Sequence, residues 1–234
     1  MVNDWLFDHG WGNTHSDLRN IFLRENVSFE KGAIRIKTVH HADLVPGWMC
    51  EGDGIVELMK DYSSGVVISK KQFLYGEFEC HVVLPKFRGS WSAFWLYPHF
   101  DDGLHNTTYD EIDWYEQFRK DNCLSKHKIQ IGLYKRFQEI NAHEKKKVWS
   151  LQRYTELGKE LKILGVWNQY GVSCYINGRK KFEITDKNLI SNRPMNIIAG
   201  NGVGDWKPRL KKNSRDNDLL FTHMSHNGIN LLNH

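Results

Sequence analysis

Four acids within seven residues, interleaved with bulky apolar side chains, place the tightest constraint on this chain. They are Asp110, Glu111, Asp113 and Glu116 in the run Tyr109-Asp110-Glu111-Ile112-Asp113-Trp114-Tyr115-Glu116. Ile, Trp and Tyr favour strands, whereas Asp and Glu are depleted from them. A strand that carries acids on one face and bulky apolar groups on the other buries one face only. Side chains alternate along a strand, so Glu111 and Asp113 share a face, with Ile112 and Trp114 opposite. The next position on the acidic face is Tyr115, yet the acid is Glu116. One extra residue around Trp114–Tyr115, a β-bulge, returns Glu116 to that face, and bulges are common beside active sites. Glu111 and Glu116 then stand about four strand steps apart, roughly 13 Å along the backbone. Inward-leaning side chains close that gap to about 5–5.5 Å, the separation of a retaining glycosidase pair. Like charges on one strand face are costly, and such a cost is often kept where a site uses it. A solvated acidic strand is the plainer reading, and the pattern taken alone leaves both open.

The 234 residues fit one large all-β domain, and with no linker, repeat or low-complexity segment the expectation is a single domain over 1–234. Hydrophobic residues make up 40% and aromatic residues 13%, enough for a packed core with aromatics to spare. Most of the nine Trp are expected in that core, and others can stack on sugar rings. The net charge of +4 comes from scattered basic residues and gives no reason to expect a nucleic-acid partner. Two basic runs, Lys145-Lys146-Lys147 and Lys207 to Lys212, read as solvated loops. No stretch is apolar and long enough to span a membrane. Met1 to Trp5 lacks the charged and apolar regions of a signal peptide, which fits an intracellular protein or a mature chain. Cys50, Cys80, Cys123 and Cys174 form no CxxC pattern and are expected as free, partly buried thiols. The 12 His include no HExxH spacing, and His40-His41 is too close for one site on a strand, so no catalytic metal is expected.

Short apolar runs recur between turn signals. Strands are expected at 26–29, 33–38, 65–69, 76–84, 91–97, 128–134, 160–167, 172–176, 181–184 and 195–199, with a helical turn around 150–157. Asn177-Gly178 is a strong hairpin signal. Many short strands with regular turns argue for a sandwich or jelly roll. One sheet of such a fold can present a concave outer face that holds a polymer, with Glu111, Asp113 and Glu116 in an open groove.

Several segments together resemble glycoside hydrolase family 16, in the family's order. Tyr62 to Lys70 resembles its "SG-hydrophobic-SK" strand, and Phe73 to Glu79 its "F-YG-E" strand. Gly89 to Leu96 resembles "W-P-A-F-W-L", with Ser92 in place of Pro. Glu111 to Glu116 is similar to the catalytic ExDxxE signature in its bulged form. Trp167 with Tyr175-Ile176-Asn177-Gly178, then Arg193 to Gly204, resemble the later hairpin and penultimate core strand. The likeness spans roughly residues 20–206 and fails at the C-terminus. There the family's closing strand signature is absent, and 219–224 is the candidate to replace it.

The resemblance implies an all-β sandwich, a jelly roll of the concanavalin A-like kind, with a concave substrate cleft. It implies a retaining double displacement in which Glu111 is the nucleophile, Glu116 the general acid/base and Asp113 the carboxylate between them. Trp91, Ala93 and Trp95 share a strand face and are expected to line the cleft, with Phe94 and Leu96 in the core. Tyr134, Trp149, Trp206 and Trp48 are candidate outer subsites, and Tyr134 and Gln130 lie where relatives often carry a polar or His residue that contacts sugar. No cofactor is required. Some relatives hold a structural calcium away from the cleft, but no residues here identify such a site. The bulged signature implies an endo-acting β-glycosidase of β-1,3-glucan (laminarin) first, or of agar, porphyran or carrageenan second. A non-catalytic sugar-binding jelly roll and a transglycosylase are the alternatives. The expected partner is a polysaccharide and the expected state a monomer. Because such an enzyme meets its polymer outside the cytoplasm, the expected location is secreted, periplasmic or cell-surface.

Overall fold

The structure is a computed structural model that describes residues 2–98, 110–118, 127–136, 145–154, 158–205, 208–210 and 214–232. Its strands are β1 (Trp5–Leu6), β2 (Asn20–Phe22), β3 (Val27–Glu30), β4 (Ala33–Ile36), β5 (Val39–Glu51), β6 (Gly54–Ser64), β7 (Val66–Phe73), β8 (Gly76–Val83), β9 (Ser90–Tyr97), β10 (Asp110–Phe118), β11 (His127–Arg136), β12 (Lys145–Tyr154), β13 (Glu160–Asn168), β14 (Gly171–Ile176), β15 (Arg179–Ile184), β16 (Met195–Val203), β17 (Leu219–His226) and β18 (Ile229–Asn230). Two large sheets face each other as the all-β sandwich the sequence implies. One runs β1-β7-β16-β9-β10-β11-β12 and the other β15-β14-β13-β8-β17-β4-β3. A smaller sheet, β2-β6-β5, has its own ladder and packs against the first.

Alternation along the strands decides what fills the space between the large sheets. From the first sheet come Phe94, Leu96, Ile112 and Trp114, and from the second Phe78, Val82, Ile163 and Trp167, all fully buried in one cluster. Phe78 and Trp114 stack across the layers with ring centroids 5.7 Å apart, a contact of about 0.5–1.5 kcal/mol beyond its burial. Gly165 on β13 makes room for this indole, since a Cβ there would lie 2.3 Å from the Trp114 ring.

Among the described residues the outer face of the first sheet is covered on one side only. Val66, Ile68 and Ile198 pack there against Phe22, Leu6, Trp11 and Leu18 of the N-terminal segment. That segment runs on along β5, where Trp48 O accepts from Asn13 N and Trp11 O from Cys50 N. The β5–β6 hairpin and the N-terminal segment thus form a wall over the β7–β16 side, which leaves β9 to β11 as the floor of a cleft.

The Asn177-Gly178 hairpin forms as expected, joining β14 to β15 with φ of 50° and 75°, a primed turn that matches strand twist. The candidate closing segment becomes β17, which lies inside the second sheet between β8 and β4. Three expectations fail. Lys145–Tyr154, expected as a solvated loop and a helical turn, is β12, paired with β11 from His127↔Tyr154 to Arg136↔Lys145. Among the described residues it is the edge strand of this sheet. Residues 39–61, for which no strand was expected, form most of the β5–β6 hairpin. Cys80 and Cys174 are free and buried, whereas Cys50 is free and exposed rather than partly buried; Cys123 lies outside the described residues, as do Lys207, Lys211 and Lys212 of the second basic run. Among the described residues no helix is long and apolar enough to cross a membrane.

Candidate active site

β10 lies between β9 and β11, and its register breaks where the acid spacing requires. On the β9 side Asp113 pairs with Trp95 and Tyr115 with Phe94. On the β11 side Asp113 pairs with Gly132 and Glu116 with Gln130. One residue is extra on each side, so Trp114 and Tyr115 both turn into the core. Glu116 therefore returns to the face that carries Asp113. Asp110 is held on the other side by Ser191, whose Oγ donates to Asp110 Oδ2 across 2.5 Å.

The side chains on the cleft face form a connected set. Glu116 Oε1 accepts from Trp91 Nε1 at 3.1 Å, and Glu116 Oε2 accepts from Gln130 Nε2 at 3.1 Å. Gln130 Nε2 also donates to the Tyr134 hydroxyl at 3.1 Å. Gly132 lies between Asp113 and Tyr134; a Cβ there would stand 2.9 Å from Asp113 Oδ2 and 2.8 Å from Tyr134 Cε2. The bare backbone is what lets the carboxylate and the phenol ring share this spot. Asp113 and Glu116 are buried, and Glu111 is half-buried.

The Tyr134 hydroxyl reports on all three acids at once. Burial and then the charges of Asp113, Glu116 and Glu111 push its pKa well above the ordinary range, against a smaller opposing effect of the Gln130 hydrogen bond. Tyr134 thus remains a neutral hydroxyl amid three carboxylates. Such a group can donate a hydrogen bond without adding charge. A cluster of carboxyl groups with one fixed by two donors suits acid–base and nucleophilic work at one centre. Among the described residues no group of three or more His, Cys, Asp or Glu is arranged to hold a metal ion.

The other sequence-derived candidates separate. Trp91 joins the acids directly through Glu116 and packs against Phe118 with ring centroids 5.0 Å apart. Trp95 is half-buried on the same strand face, away from the central core that takes Phe94 and Leu96. It is packed into an aromatic group, 5.7 Å from Tyr97 and 6.2 Å from His9. Trp48 is half-buried on β5, with its backbone N–H bound by Asn13 Oδ1 at 2.8 Å. Trp149 lies on β12 opposite Gly132, but its side chain and the whole of Trp206 lie outside the described residues, as does Tyr109.

His9, Trp11 and Tyr97 escaped the sequence reading. The rings of His9 and Trp11 stack at 5.0 Å, and Trp11 meets Tyr97 at 5.6 Å. Tyr97 was legible by parity from Trp91 and Trp95. His9 and Trp11 sit in an irregular segment whose sequence carries no period.

A family model described as Glycosyl hydrolases family 16 matches residues 24–217. A glucan endo-1,3-beta-glucosidase of Cryptopygus antarcticus is 31% identical over 101 residues, which cover 42% of this chain. The match spans 34% of that relative's own length. Porphyranase B from Zobellia galactanivorans superposes with a TM-score of 0.76 at 17% identity, over 97% of this chain and 86% of the other. The laminarinase catalytic domain from Thermotoga maritima gives 0.67 at 18% identity, over 94% and 89%. The two superpositions speak to the fold, and the family match covers most of the sequence. With the sandwich, the bulged acidic strand and this match in hand, the chain belongs to glycosyl hydrolases family 16.

Proposed function

We propose that this glycoside hydrolase is a retaining endo-β-glycosidase that cuts a β-1,3-glucan inside the chain by double displacement. The observation that carries the reading is the bulge at Trp114–Tyr115, which brings Glu116 to the face of Asp113. The matched relative named as a glucan endo-1,3-beta-glucosidase supports the choice of glucan.

In the first step Glu111 attacks the anomeric carbon. The glycosidic C–O bond breaks while Glu116, protonated, gives its proton to the leaving oxygen. The sugar is then an ester of Glu111. In the second step Glu116, now a carboxylate, takes a proton from water, the water oxygen attacks the same carbon, and Glu111 leaves. The Trp91 and Gln130 hydrogen bonds hold the Glu116 carboxyl in one orientation through both transfers. Asp113 stands between the two glutamates, where its charge favours protonation of a neighbour. Tyr134 supplies a neutral donor on the β11 side. The enzyme acts where its polymer is, outside the cytoplasm.

Reducing-end release from laminarin, mixed-linkage glucan, agarose, porphyran and carrageenans tests this. Laminarin should be cut, and Glu111→Gln or Glu116→Gln should remove nearly all turnover with the fold intact. Turnover of a galactan alone would replace the substrate. Near-normal rates in either mutant would remove the catalytic assignment, and binding without turnover on every polymer would make the protein a sugar-binding module.

A further inference from the structure

Beyond Trp91 the cleft continues into a pocket of about 720 Å³. That volume lies inside the usual range for small-molecule sites, about 300–1,000 Å³. Its walls come from four places: the turn Ser16 to Arg19, the β5–β6 hairpin with Leu44, Met59, Lys60 and Asp61, the cleft floor with Trp91 and Phe118, and Asp205 just after β16. Leu44 and Met59 are 57% and 54% exposed and present apolar surface to it. Trp91 and Phe118 add two aromatic rings at 42° to each other. Apolar and aromatic surface of this kind suits the C–H faces of a pyranose.

The polar lining has a particular balance. Asp17, Asp61 and Asp205 face two cations, Arg19 and Lys60. Both cations are already engaged. The Lys60 ammonium donates to His15 O at 2.9 Å and to Leu18 O, which pins the 15–18 turn as a wall. Arg19 donates through Nε to Asp61 Oδ1 at 3.1 Å and through its terminal nitrogen to Asp61 Oδ2, with Asp205 3.7 Å away. Carboxylate oxygens accept hydrogen bonds from hydroxyl groups. A sulfate or carboxylate on the sugar would meet a lining in which three carboxylates outnumber two cations, each cation already held by a protein acceptor.

We infer that this pocket, walled by the β5–β6 hairpin, is a further subsite that takes an uncharged hexopyranose of the substrate chain and rejects a sulfated or carboxylated one. The inference rests on reading the cleft as the polysaccharide site. It also gives the proposed function a physical reason to prefer a neutral glucan over a sulfated galactan.

Calorimetric titration in the Glu111→Gln background tests it without turnover. The probes are laminarihexaose and a κ-carrageenan hexasaccharide. Laminarihexaose should bind more tightly. Asp61→Asn should weaken laminarihexaose by about tenfold, the loss of one hydrogen bond to a charged group. Met59→Arg adds a cation at an exposed position that can accept it, and should narrow the gap between the two probes. Ile55→Arg, on the same hairpin but outside the pocket lining, adds the same charge and should move neither. Tighter binding of the sulfated probe by the parent protein overturns the inference, as do unchanged affinities in Asp61→Asn and Met59→Arg. The outcomes also separate the two proposals. Affinities that shift as stated in a protein that does not cut laminarin keep the pocket and overturn the hydrolysis. Laminarin cleavage with unmoved affinities does the reverse.

Discussion

Trp91 donates its indole N–H to Glu116 Oε1 across 3.1 Å, from β9 to β10. The bond fixes the rotation of a carboxyl that has to deliver and then collect a proton. Trp91→Phe keeps a ring on the cleft floor and deletes the donor. Turnover of polysaccharide should fall about ten- to hundredfold, the range expected for one hydrogen bond to a charged group. An aryl glycoside with a good leaving group needs less help from the acid, so it should lose less. Rates on the polymer and the aryl substrate, measured side by side, check this; equal losses on both would mean that Trp91 binds sugar without orienting the acid.

Two glycines make opposite predictions although both leave room for a neighbour. Gly132→Ala puts a methyl group 2.9 Å from Asp113 Oδ2, on the cleft side. It should depress turnover while the melting temperature changes little. Gly165→Ala drives a methyl group to 2.3 Å from the Trp114 ring, inside the core. Overpacking of that kind costs about 1–3 kcal/mol, so the melting temperature should drop. Thermal melts with initial rates on both variants separate the effects; a Gly132→Ala protein that melts early and works normally would refute the placement of Asp113.

The thiols differ in reach. Burial raises the Cys80 pKa and pushes Cys174 to about 12, while Cys50 lies exposed on β5. The thiolate is the reactive form. Brief treatment of the native protein with iodoacetamide, read by peptide mass mapping, should modify Cys50 and spare Cys80 and Cys174. Denaturant should open both. Labelling of Cys174 in the native state would contradict its position between the sheets.

Acid sensitivity has one identifiable source on the outer face of the second sheet. His223 packs against His81 with ring centroids 4.8 Å apart and the rings tilted by 41°. Burial and the His81 charge lower its pKa below 6.5, against weaker opposing effects of Glu79 and Glu160, while Lys162 adds a further lowering. Below 6.5 the unfolded chain therefore binds a proton that the folded one resists, and stability falls as the pH drops through that window. The site is half-buried and still in contact with solvent, so the effect is modest. Denaturant midpoints from pH 7 to pH 5 should decline less steeply in His223→Asn than in the parent. Parallel slopes would show that this residue does not contribute.

What the sequence disclosed followed from burial period. Ile112, Trp114, Phe94 and Leu96 each have one face against the core, so parity alone places them and fixes the face of Glu111 and Asp113. The β5–β6 hairpin has no such period. Much of it is exposed on both sides, so His40 to Pro46 and Ile55 to Met59 carry no alternation that a reader can detect. β12 was obscured by Lys145-Lys146-Lys147, because lysines on an edge strand and lysines in a loop look alike in sequence. The pocket beside Trp91 was invisible for a third reason. Arg19 and Asp61 are 42 residues apart and meet only because β2 pairs with β6 in parallel.

The extra residue at Trp114–Tyr115 works as a half-period phase shift. Before it, odd-numbered side chains of β10 look into the cleft; after it, even-numbered ones do. Pairing the same residues without the bulge would leave every local propensity of the strand intact, yet turn the Glu116 carboxyl toward the apolar layer and swing Tyr115 out over the floor. The register matters here as much as the identity of the acids. A strand of this sequence in unbroken register would have to choose between a packed interior and a complete set of carboxylates.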